Sequence, residues 1–75
     1  MIVVLAFARY RTLLGFRRLE LAMPEPMNVL ELLADPCFSN LPKEALVAVN
    51  QAFVKRSAKL MDGDEVALMP PVSGG

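Results

Sequence analysis

The residues that could do chemistry fall into four groups: an acidic cluster, a lone cysteine, a run of arginines and the last six residues. Asp62, Asp64 and Glu65 could mark a cation site, but they lack the ligand-bearing loop of an EF-hand, and they read as a turn with solvated carboxylates. Cys37 lies between Pro36 and Phe38 with no Lys, Arg or His beside it to stabilise a thiolate, so it reads as inert. Arg9, Arg11, Arg17 and Arg18 make the first quarter basic without interleaved exposed aromatics, which fits a solvated face or an acidic protein partner better than nucleic acid. The last group is Pro70-Pro71-Val72-Ser73-Gly74-Gly75. Two glycines end a chain by chance about once in two hundred times, so a frayed tail and a reactive terminus are both open. The prolines start the tail extended, and six residues at about 3.1 Å each reach roughly 19 Å. Without a Cβ on Gly74 or Gly75, the terminus can thread a narrow channel. Its carboxylate needs no histidine or metal in this chain, because a partner can activate it.

Composition closes most other routes. A chain of 75 residues buries only about 60% of the surface its unfolded form exposes, enough for one domain and one small core but not for an enclosed substrate cavity. Absence of histidine removes the commonest general base and metal ligand, and a single cysteine precludes a disulfide framework. No metal site and no bound cofactor are expected. Eight Lys+Arg balance eight Asp+Glu, leaving no net field for nucleic acid or an anionic membrane. The apolar run Ile2 to Ala8 is too short to span a bilayer and lacks the flanks of an export signal, so a cytoplasmic location is expected. The apolar fraction of 55% is high for so small a chain, and part of it is expected to meet a partner.

The elements that must position the tail follow from periodicity. Ile2 to Ala8 is continuously apolar and β-branched, as a central strand is. Arg9 to Leu14 predicts a short helix closed by Gly15. Arg18 to Met23 alternates, with Leu19, Leu21 and Met23 on one face, and predicts a strand pairing with the first. Asn28 and Glu31 form a capping-box pattern for a second helix that ends or kinks at Asp35, ahead of Pro36. The stretch Phe38 to Pro42 is irregular. Leu46 to Val49 predicts a third strand, Phe53-Val54 a short one, Lys55 to Lys59 a solvated connection, Asp62-Gly63 a turn, and Val66 to Met69 the last strand before Pro70-Pro71. The class is α+β, a mixed sheet packed on one main helix. If the first and last strands are central neighbours, it is a ubiquitin-like β-grasp. Residues 1–69 then form the domain and 70–75 the tail.

Phe7-Ala8-Arg9-Tyr10-Arg11-Thr12-Leu13-Leu14-Gly15, Val49-Asn50-Gln51, Asp62-Gly63-Asp64-Glu65-Val66-Ala67 and the proline-and-glycine tail resemble the MoaD-type sulfur carriers, the small subunits of molybdopterin synthase. The proline pair is more MoaD-like than ThiS-like, while Pro36 departs from the resemblance by breaking a helix that is usually longer. The resemblance implies a protein that others act upon, with no catalytic side chain of its own. An E1-like, MoeB-type enzyme using ATP would adenylate the Gly75 carboxylate, and a sulfur donor would convert it to a thiocarboxylate. The tail would then enter the large, MoaE-type subunit of a hetero-oligomer and give up its sulfur to a pterin precursor. Gly75 would carry the sulfur, with Gly74, Ser73, Val72, Pro71 and Pro70 threading behind it. Phe7, Phe53 and Met69 match the partner-facing apolar positions, with Arg11 at their rim; as plain residues they could equally be core. A ubiquitin-like modifier joined to lysines through Gly75, a carrier for another pathway such as thiamine, and an interaction module with incidental glycines are the alternatives.

Overall fold

A computed structural model of the chain describes residues 1–71. Val72, Ser73, Gly74 and Gly75, expected to form the rest of the threading tail, lie outside the described residues.

Parity organises the sheet. In β1, Ile2–Ala6, the side chains of Ile2, Val4 and Ala6 are buried while Val3 and Leu5 are only partly covered. β1 pairs antiparallel with β2, Arg18–Leu21, and parallel with β7, Glu65–Met69. β7 pairs in turn with β4, Leu46–Val49, and β4 with the edge strand β5, Ala52–Phe53. The order β2-β1-β7-β4-β5, with the first and last strands parallel at its centre, is the β-grasp arrangement the sequence anticipates. A second, two-residue ladder joins β3, Met27–Asn28, to β6, Lys59–Leu60.

One face of the sheet is covered. The helix α2, Val29–Leu33, sends Val29 and Leu32 into a core with Ile2, Val4, Val47, Val66 and Leu68. Its capping box forms as expected, the Asn28 side chain accepting from the Glu31 N–H at 2.8 Å and the Glu31 carboxylate from the Asn28 N–H at 3.0 Å. Phe38 extends the core and meets Phe16 edge to face, with ring centroids 6.2 Å apart. The short helix α1, Tyr10–Leu14, buries Tyr10 and closes at Gly15, whose φ of 84° turns the chain back so that its N–H reaches the Arg11 carbonyl.

Several boundaries differ from the expectations. β1 stops at Ala6 because Ala8 takes φ 53°, a left-handed conformation no ladder accommodates, and α1 begins at Tyr10. β2 ends at Leu21, two residues early. Pro36 does not kink α2: the helix ends at Leu33, Asp35 is extended at ψ 137°, and Pro36–Phe38 opens a separate 3-10 turn, with proline at a first position where its missing N–H is harmless. β5 begins at Ala52, one residue early, and omits Val54. Lys55 to Lys59 is no mere solvated connection, since the Arg56 and Ala58 carbonyls accept from Leu30 and Val29 and Lys59 joins β6.

Candidate functional site

The uncovered face of the sheet is built by register. Arg18, Leu5, Ala67, Ala48 and Phe53 are successive Cα partners from β2 across to β5, so they form one transverse row. Strand alternation puts Met69 and its partner Leu46 on the same face one step towards the end of β7. The row on the other side, Glu20, Val3 and Glu65, is polar at both flanks. The result is an apolar band, small in the middle at Ala48 and Ala67 and bulky at its edges. Phe53, on the edge strand, is 69% exposed; Met69 is half-buried. Phe7 follows Leu5 by two positions and is 37% exposed, its N–H donating to the Leu68 carbonyl at 3.1 Å.

This band lies where the tail begins. β7 is flanked on both sides by ladders, so Met69 is fixed by Leu46 on one side while Leu68 is fixed by Ala6 on the other. Pro70 and Pro71 follow immediately, both half-buried, and neither can add a donor to the ladder. Arg11 is tied to this end of β1 by its Nε, which donates to the Ala6 carbonyl at 3.3 Å. Phe7, Met69 and Arg11 are thus brought to the tail end of the sheet, and Phe53 shares the face of Met69 in the row of Ala67, separated from Phe7 by β7 and β4. A shallow hollow of about 200 Å³, lined by Leu46, Phe53, Val54 and Arg56, adjoins the band. Ala48 escaped the sequence reading as part of this face; the signal for it was the alternation along β4.

The other groups with chemical potential are elsewhere. Cys37 is exposed at the 3-10 turn, yet its thiol is pushed up to about 11 by partial desolvation and by the Asp35 carboxylate beside it. Asp35, whose Oδ1 caps the Cys37 N–H at 3.0 Å, is held below the usual carboxylate range by that bond. Both effects leave the thiol protonated and inert. Asp62 pairs with the amino terminus, and Asp64 accepts from the Met61 N–H at 2.7 Å, so the acidic cluster is a turn, as its composition predicts. Among the described residues no three His, Cys, Asp or Glu side chains are grouped to hold a metal, and no helix is long and apolar enough to cross a membrane.

Known proteins resemble this chain in sequence and fold. The ThiS family model matches residues 4–75. The molybdopterin synthase sulfur carrier subunit of Escherichia coli K12 is 40% identical over 83 aligned positions, covering all of both chains. That of Chlamydomonas reinhardtii is 36% identical over 99% of this chain and 98% of its own. Among solved structures, subunit 1 of a molybdopterin converting factor from Pyrococcus furiosus superposes with a TM-score of 0.84 at 28% identity, covering 95% of this chain and 97% of that one. With a family match running to residue 75 and relatives aligned along nearly their whole length, the chain belongs to the ThiS family, among the molybdopterin synthase sulfur carrier subunits.

Proposed function

We propose that this chain delivers sulfur to a pterin precursor inside molybdopterin synthase, with Gly75 as the carrier. An E1-like enzyme joins the Gly75 carboxylate to the α-phosphate of ATP and releases pyrophosphate. A sulfur nucleophile at the oxidation level of sulfide then displaces AMP and leaves a thiocarboxylate. ATP belongs to that enzyme and not to this chain. The terminus next enters the large subunit, where the absence of a Cβ at Gly74 gives clearance. Phe7, Met69 and Phe53 dock against the large subunit, and Arg11 borders the contact. Domain and tail divide the work, residues 1–69 supplying the docking face and 70–75 the reach.

The observation that supports this most is positional. The central strand β7 hands Pro70 and Pro71 to the same end of the sheet as an uncovered apolar band. A carrier needs both at once, a partner seat and a tail that starts beside it from a rigid point.

Co-production with the activating enzyme and sulfur donor, followed by intact-mass spectrometry, tests the reading. The expected product has one terminal oxygen replaced by sulfur, and a chain extended by one residue after Gly75 remains unmodified. Persistent carboxylate in the native chain would count against the proposal. Stable conjugates to lysines in place of the thiocarboxylate would instead make the chain a protein modifier.

A further inference from the structure

The formal charge of zero conceals a polarity along the strands. β1 and β7 run parallel, so both finish at the end of the sheet from which the tail departs. That end gathers cations. Arg9 and Arg11 follow β1 directly, and Arg17 and Arg18 enter β2 opposite Ala6 and Leu5. On the far side of the same end, Arg56 donates to the Lys43 and Ala45 carbonyls at 3.0 and 3.2 Å. The opposite end gathers acids. Glu65 pairs with Val3, the Asp64 carbonyl accepts from the Val3 N–H, and Asp62 holds the amino terminus.

The arginines beside the tail are not used up inside the fold. Arg18 pairs with Glu20 at 2.5 Å, whereas Arg9, Arg11 and Arg17 form no ion pair among the described residues. Arg9 lies over the Tyr10 ring, 5.5 Å from its centroid, and Arg11 holds a carbonyl, so both are positioned with their charge uncompensated. Four like charges within ten residues repel one another. A neutral chain with a cationic end and an anionic end, separated by the roughly 16 Å of a five-residue strand, has a direction in an electric field. An acidic surface draws in the tail-bearing end and turns away the other.

We propose that the cationic end formed by Arg9, Arg11 and Arg17 steers the tail-first approach of this chain to a carboxylate-rimmed apolar seat on the large synthase subunit. The identity of the partner rests on the sulfur-carrier reading; the placement of the charges does not. Nucleic acid fits the end less well, because the adjoining face is an apolar band centred on Ala48 and Ala67 and offers no row of aromatic stacking platforms.

Stopped-flow association of the full chain with the purified large subunit tests this. Between about 0.05 M and about 0.5 M NaCl the association rate is expected to fall at least tenfold, as a steered encounter does, with dissociation changing much less. An Arg9→Glu/Arg17→Glu chain should associate about tenfold more slowly at low salt and match the native chain at high salt, provided its circular dichroism and melting are native. Lys59→Glu, away from this end in β6, changes the same kind of charge and should leave the rate within about twofold. A complex that forms at a salt-independent rate, or faster after charge reversal, overturns the steering while leaving the sulfur-carrier reading intact. Failure to form a complex at either salt concentration overturns both. Fluorescence anisotropy with a short single-stranded DNA should show no binding at about 0.15 M salt; binding there would reassign the cationic end to nucleic acid.

Discussion

Asn50 is bound to Asp64 across the base of the sheet, its Nδ2 donating to Oδ1 at 3.0 Å. Its Oδ1 accepts from the Glu65 N–H at the same distance, so one side chain pins the β4–β5 turn to the start of β7. The turn needs pinning because Asn50 and Gln51 have φ values of 50° and 71°, the two-residue type I′ geometry in which asparagine is favoured and glutamine is not. Asn50→Ala loses both bonds and replaces asparagine, which tolerates left-handed space, by a residue that tolerates it less, and it should lower unfolding stability by about 1–2 kcal/mol in urea. Asn50→Gly keeps the backbone and should lose less. In a double-mutant cycle, Asn50→Ala should be smaller in an Asp64→Ala background, and strict additivity would show that the bridge contributes nothing.

Ala8 carries a second strained backbone, at the end of the sheet where the tail begins. At φ 53° its Cβ crowds the chain, a strain of about 1–2 kcal/mol in an L-residue, offset in glycine by about 0.5–1 kcal/mol of lost unfolded-chain freedom. Ala8→Gly should therefore be neutral or slightly stabilising, and Ala8→Val should destabilise. Thermal unfolding of the three chains distinguishes this order from its reverse.

Cys37 gives a prediction in pH. Its folded value of about 11 lies above the ordinary 9.0, so the folded thiol keeps its proton where the unfolded one has lost it. The contribution to stability is complete below pH 9 and declines as pH rises from there through 11. Alkylation by iodoacetamide at pH 8 should consequently be about a hundredfold slower in the native chain than after denaturation, because the thiolate is rarer by about that factor. Equal rates would mean that Asp35 and the local packing do not hold the proton.

How far the residues revealed the fold depended on how many positions each signal spanned. Ile2 to Ala6 declared itself through an apolar run that opens on three β-branched residues, Val66 to Met69 through an apolar run bounded by a turn and a proline pair, and Asn28 with Glu31 through a spaced pair whose bonds form as written. The ladder of Met27–Asn28 with Lys59–Leu60 was illegible, since two residues carry no period and the pairing is a tertiary event. Ala8 was read as strand because an alanine says nothing of a positive φ imposed by the turn into α1. The docking band was half legible: an apolar fraction of 55% in so small a chain implied a surface for a partner, but only the register places Ala48 beside Ala67 and Phe53 at the rim. The charge polarity needed the parallel pairing of β1 with β7, a matter of topology that no local pattern encodes.

Phe53 supplies the sharpest separation of docking from folding. Its ring is 69% exposed on a two-residue edge strand, so Phe53→Ala removes little from the core and should change unfolding stability by no more than about 0.5 kcal/mol. If the band is the partner seat, the same change removes an aromatic anchor from a desolvated contact, where such truncations weaken binding by about 2 kcal/mol, or roughly thirtyfold in Kd. Met61 is 71% exposed but belongs to the Asp62-Gly63 turn at the opposite end of the sheet, so Met61→Ala should leave affinity unaltered. Titration calorimetry with the large subunit decides between them. Loss of affinity in the Phe53 variant alone assigns the seat to the β7–β4–β5 face, and loss in the Met61 variant alone would move it to the acidic end of the sheet.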